Sequence, residues 1–89
     1  MRHVQESDLE RLSAFLQDLD ALCAKTTALK VRKKGVYYLK SKAFLHFHED
    51  DGDLFADVKL DGITFDRFNV SRRSDQHQLL KAIKGKLAL

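Results

Sequence analysis

AFLHFHEDDGDLFADVKLDG (residues 43–62) alternates apolar and polar side chains on both sides of Asp51-Gly52, the pattern of a β-hairpin. An Asp-Gly pair suits the type I′ turn, which needs positive φ at both central residues. A two-residue turn there sets Asp50 opposite Asp53 and fixes every later pair. Leu45 faces Val58, Phe47 faces Ala56 and Ala43 faces Leu60 on one side. His48 with Phe55, His46 with Asp57, and Phe44 with Lys59 form the other.

Outward from the hairpin, a second Asp-Gly at 61–62 reads as another two-residue turn, pairing Leu60 with Ile63 and Val58 with Phe65. That register brings Asp66 beside Asp57. The apolar positions then shift to Phe68 and Val70, so a bulge is expected near Asp66-Arg67. Strands are predicted at about 36–40, 43–50, 53–60 and 63–70. The segment 25–34 reads equally as a last helical turn, a loop or a short strand.

Helices flank the strands. Ser7-Asp-Leu-Glu10 has the form of a capping box, and Leu9, Leu12, Leu16, Leu19 and Cys23 follow at spacings of three and four. Ser74 or Asp75 can cap a second helix, whose apolar face is Leu79, Leu80, Ile83 and Leu87. The order α-β-β-β-β-α predicts one α+β domain over residues 1–89, an antiparallel meander with both helices on one face. Its core is predicted to pack Leu45, Phe47, Val58 and Phe65 against Leu12, Leu16, Leu19 and Ile83.

The net charge of +3 conceals banding: residues 25–42 carry seven Lys or Arg and no acid, whereas residues 49–66 carry seven acids against Lys59. Cys23 is the only cysteine, which excludes an intrachain disulfide and a thiolate metal cluster. No run reaches the length of a membrane helix, and the start lacks the apolar segment of a signal peptide, so a cytoplasmic protein with no membrane association is expected. No phosphate-binding glycine loop or nucleophile elbow is present. An enzyme is therefore the less favoured class, and no cofactor is expected.

Three functions suit the second sheet face. Tyr37, Phe44 and Phe55, with His46, His48, Asp57 and Lys59, are read as an interaction face whose aromatic side chains a homodimer would cover. The same aromatics could stack bases while Lys30, Arg32, Lys33, Lys34, Lys40 and Lys42 meet phosphates, which describes a nucleic-acid binder. Finally, His46, His48, Asp57 and Asp66 combine imidazole and carboxylate in a way that suits a divalent metal, in a metal-binding protein or a small metal-dependent enzyme. Against the metal, His46 opposite Asp57 is also an ordinary cross-strand pair worth roughly 0.2–1 kcal/mol.

GVYYLKSKAFLHFHEDDGDLFADVKL (35–60), preceded by a Leu-rich helix, resembles the central part of small bacterial proteins of the MmcQ/YjbR type. There a strand leads through a Lys-containing turn into an aromatic strand with an acidic end, followed by a hairpin. The tryptophan-bearing second half of that family has no counterpart here. His46-x-His48 and the hairpin beyond it are also similar to uncharacterised bacterial domains labelled luciferase-like. The first resemblance implies a compact α+β domain linked with DNA binding, and neither supplies catalytic residues.

Overall fold

In the computed structural model, which describes residues 1–89, the elements run β1 (Arg2–His3), α1 (Glu6–Arg11), α2 (Ser13–Lys25), β2 (Leu29–Lys33), β3 (Val36–Leu39), β4 (Lys42–Asp50), β5 (Asp53–Val58), β6 (Asp66–Asn69) and α3 (Arg73–Leu87). The class is α+β. Strands β2 to β6 form an antiparallel meander, and β1 pairs with the end of β4 that β3 leaves open. No helix is long and apolar enough to cross a membrane.

The first hairpin has the expected register, from Asp50 opposite Asp53 to Leu45 opposite Val58, with positive φ at Asp51 and Gly52. The core follows from it. Leu45, Phe47, Leu54, Ala56 and Val58 point to one side and join Leu12, Phe15, Leu16, Leu19, Leu79 and Ile83 in a single buried cluster. The rings of Phe15 and Phe47 meet edge to face at 6.0 Å, the arrangement their quadrupoles favour.

The helical start differs from the expected Ser7–Glu10 box. The helix begins at Glu6, and the Asp8 carboxylate accepts from the Gln5 amide at 2.9 Å and from Arg2 at 2.8 Å. Pairing β1 with β4 draws Arg2 to this turn, and Asp8 serves both donors. At Leu12 the chain bends, with φ −95° and ψ 6°, and its amide is shared between the carbonyls of Asp8 and Leu9. The Leu16 amide still reaches the Leu12 carbonyl, so α1 and α2 are one apolar stripe bent around a buried leucine.

Residues 29–33 resolve as a strand, β2, at the edge of the sheet. Lys30, Arg32 and Lys33 keep that edge charged, which discourages pairing with another chain.

The second hairpin is not a two-residue turn. Val58 pairs with Asp66, Asp57 with Arg67, and Ala56 with Phe68, leaving residues 59–65 as the connection. Asp61 explains part of this: its carboxylate accepts from the Ile63 and Thr64 amides at 2.8 and 2.9 Å and from the Thr64 hydroxyl at 3.0 Å. Those amides are thereby withdrawn from a ladder. The expected register would also have aimed Arg67 into the core opposite Ala56. The observed one buries Val70, packs Phe68 against the core and turns Arg67 outward. The change of parity is absorbed by the loop rather than by a bulge at Asp66-Arg67. Consequently Ile63 is 77% and Phe65 40% exposed, and neither joins the core.

Tyr37 and Phe44 also lie where the sequence reading did not put them. Tyr37 pairs with Leu45 and Tyr38 with Ala43, so Phe44 is the extra residue of a β-bulge. Both side chains face the helices and are buried. The Tyr37 hydroxyl donates to Asp20 on α2 at 2.9 Å, which satisfies its polar end inside the protein. Burial, with the Asp20 bond second, raises the Tyr37 pKa far above the usual phenol range.

Two substitutions separate this core from the expected one. Phe47→Ala is expected to cost about 3–5 kcal/mol, and Ile63→Ala less than about 0.5 kcal/mol, in urea unfolding monitored by circular dichroism. A comparable loss for Ile63→Ala would restore the two-residue turn.

Candidate functional site

Strand alternation leaves one side of the sheet without a helix. On it β4 presents His46 and His48, β5 presents Phe55 and Asp57, and β6 presents Arg67 and Asn69. His3 of β1 lies beside His48, with ring centroids 4.7 Å apart. Phe65 reaches back from the 59–65 loop to meet His46 edge to face at 4.9 Å.

Asp57 is the centre of this surface. Its side chain is 8% exposed, and Arg67 grips it with both nitrogens of a fork: Nε to Oδ1 at 2.8 Å and Nη2 to Oδ2 at 2.9 Å. A bidentate guanidinium pair is among the stronger neutralising contacts available to a carboxylate. The Arg67 hydrogen bond is the largest influence on Asp57 and holds its carboxyl below the ordinary value, against the opposing effect of burial. In return the Asp57 bond raises Arg67.

His46 Nε2 and His48 Nδ1 lie 3.3 and 2.9 Å from Asp57 Oδ2. His48 Nδ1 is nonetheless buried without a hydrogen bond, so its close approach is out of line with a lone pair and Coulombic at best. For His46, burial outweighs the pull of Asp57 and lowers the pKa, and His48, His3 and Arg67 add to the lowering. The cluster is thus a carboxylate already neutralised by arginine, with imidazoles packed around it.

Its chemistry is limited accordingly. No hydroxyl or thiol hydrogen-bonds either histidine, so the Asp-His contacts have no nucleophile to activate. Ligand atoms of His46, His48 and Asp57 do lie within 4.8 Å of one another. A divalent ion at this point would have to share Asp57 with the Arg67 cation. Asp66 leaves the set altogether, because it pairs opposite Val58 on the other parity.

Of the residues read as an interaction face, His46, His48, Phe55 and Asp57 share the bare side, and Lys59 sits 4.9 Å above the Phe65 ring. Tyr37 and Phe44 do not. Among the residues read as phosphate contacts, Lys30, Arg32 and Lys33 line β2, and Lys34 is paired with Glu6 at 2.7 Å. Lys40 and Lys42 flank the β3–β4 turn at the opposite end of the sheet. Arg67, Phe65, His3 and Tyr38 were not anticipated. The arginine had a legible signal, since a register that buries Arg67 beside Ala56 is costly. No protein-family model, curated protein or solved structure matches the chain.

The two shifts at this face act in the same direction with pH. His46 has a folded-state pKa below its unfolded value near 6.5, so its neutral form stabilises the fold above that pH and the contribution is lost as pH falls through it. Asp57 is likewise lowered, and its contribution disappears below about pH 4. Urea midpoints measured from pH 8 to pH 3 should therefore fall in two stages. His46→Asn should flatten the stage between pH 7 and 5 and leave the lower one; an unchanged upper stage would assign it to another group.

Proposed function

We propose that the protein is a non-enzymatic binding module whose working surface is the bare sheet face, and that this face takes single-stranded nucleic acid. One observation carries the reading. Two half-exposed or exposed rings on this side each have a cation stacked on them: Arg32 lies 4.9 Å from the Tyr38 centroid and Lys59 lies 4.9 Å from that of Phe65. A ring with a cation at its side offers a plate for a base and a partner for the adjoining phosphate. Phe55 lies on the same face opposite His48, with the His46 and Asp57 cluster between it and Phe65, and Lys30 and Lys33 on β2 extend the positive charge along that edge. Four acids, Glu49, Asp50, Asp51 and Asp53, sit at the tip of the β4–β5 hairpin, and Asp57 on the face itself is paired with Arg67. The resemblance to MmcQ/YjbR-type proteins, linked with DNA binding, points the same way.

Self-association through this face has less support than the sequence suggests. The homodimer reading rests on an exposed patch of Tyr37, Phe44 and Phe55, of which the first two are core residues. Phe55 and Phe65 remain, separated by the His46 and Asp57 cluster. That is a small apolar area for a stable two-fold contact.

Fluorescence anisotropy with a labelled oligothymidylate tests the proposal. Binding at low salt should weaken linearly in a log–log plot, with a slope of about −0.7 for each phosphate neutralised. Phe55→Ala should cost about 1–3 kcal/mol of affinity, and Lys30→Gln with Arg32→Gln should flatten the salt slope. No binding at low salt, together with dimers in sedimentation, would transfer the face to self-association. A metal at His46, His48 and Asp57 has its own readout: with Arg67 holding the carboxylate, chelator should leave the melting temperature unchanged. A lower melting temperature with chelator would establish a bound ion.

A further inference from the structure

At the end of the sheet away from the Asp51-Gly52 turn, on the helix side, lies a second feature, which shares only Lys59 with the nucleic-acid reading. An opening of about 370 Å³ is rimmed by Lys40, Lys42, Lys59 and Lys86, with Leu39 and Phe44 among its apolar lining. No carboxylate lines it. None of the four lysines forms an ion pair, and the nearest acid in sequence, Asp61, spends its oxygens on Ile63 and Thr64. Four cations gathered around a half-open hollow, three of them exposed, raise the local potential and favour an anion within it.

The backbone helps to place two of these lysines. Leu39 pairs with Lys42, so Lys40 and Ser41 form a two-residue turn with φ 51° and 70°, as a type I′ turn requires, and the turn brings Lys40 and Lys42 to the same rim. Across the opening, the Gly62 backbone comes close enough to Lys86 that an added Cβ would lie 3.9 Å from Nζ, so the 59–65 loop and the end of α3 close the far wall. Thr26 completes the near side: its hydroxyl oxygen accepts from the Ala28 amide, which leaves its proton free to donate.

We infer that this opening binds a small phosphate monoester, its phosphate among Lys40, Lys42, Lys59 and Lys86 and its organic body against Leu39 and Phe44. The phosphate supplies the two negative charges that the rim lacks. The apolar lining excludes a simple inorganic anion as the best occupant, since burying it there leaves the lining unfilled. The site shares only Lys59 with the bare face, and Lys40, Lys42 and Lys86 belong to it alone, so either assignment can fail without the other.

Titration calorimetry at low ionic strength, with phenyl phosphate, methyl phosphate and phenol as probes, tests the inference. Phenyl phosphate should bind with a Kd of about 1 mM or tighter, methyl phosphate about tenfold more weakly, and phenol without detectable heat. Lys42→Glu and Lys86→Glu should each weaken phenyl phosphate by about tenfold or more. Lys86→Gln provides the same test with less change of charge. Arg72→Glu, at the start of α3 and away from Lys86, makes the same change of charge and should leave the affinity unchanged. Equal losses at Arg72 and Lys42 would reduce the effect to net charge and overturn the site, as would equal affinity for phenyl and methyl phosphate, or no binding by the unmodified protein.

Discussion

The Arg67–Asp57 pair is the constraint on which the outer half of the sheet depends. A strand slipped by one residue exchanges its two faces, and β6 is short, so few contacts specify its register. Arg67 supplies the decisive one. With its guanidinium on Asp57, Phe68 and Val70 must turn toward α3 and the core. The pair is also what allows a carboxylate to sit nearly buried between two imidazoles, since without a cation that arrangement would drive Asp57 toward its neutral form.

Much of the architecture was legible because hydrophobic period and turn chemistry agreed. The β4–β5 hairpin had an Asp-Gly turn and six cross-strand pairs consistent with it, and the helical stripe from Leu9 to Leu22 was continuous. The second Asp-Gly misled because a dipeptide signal says nothing about competing side-chain acceptors. Asp61 could cap the next two amides instead of entering a turn, and it does. Local sequence favoured one answer, while the burial of Phe68 and the charge of Arg67 favoured another. The second effect involves more free energy, and it prevails.

The candidate site was legible to the same extent as its register. His46, His48 and Asp57 were placed together because they lie on the well-determined hairpin. Arg67 was displaced by a single residue in favour of Asp66, which converts an ion pair into an apparent cluster of acids. Tyr37 and Phe44 were misplaced by a different cause. A bulge has no composition of its own, and Phe44 sits between Ala43 and Leu45 with nothing in the local alternation to announce that it turns inward. Aromatic residues that seemed to need a partner already had one in the helices.

The shared edge of β4 has a further consequence. Its nine residues are too many for β3 to cover, and the remainder is paired by only Arg2 and His3. That short segment is held by ion pairs from Arg2 to the nearly buried Asp8 and to Glu49 and from the terminal amine to Asp50, while its own two residues are exposed. It can therefore detach without disturbing the buried cluster, and detachment would uncover His48 and the backbone groups of β4 that β1 now pairs. The protein thus has two levels of opening. A small one is governed by screened charges at the amino terminus, and a global one by the core, so amide exchange along a single strand would proceed on two separate scales.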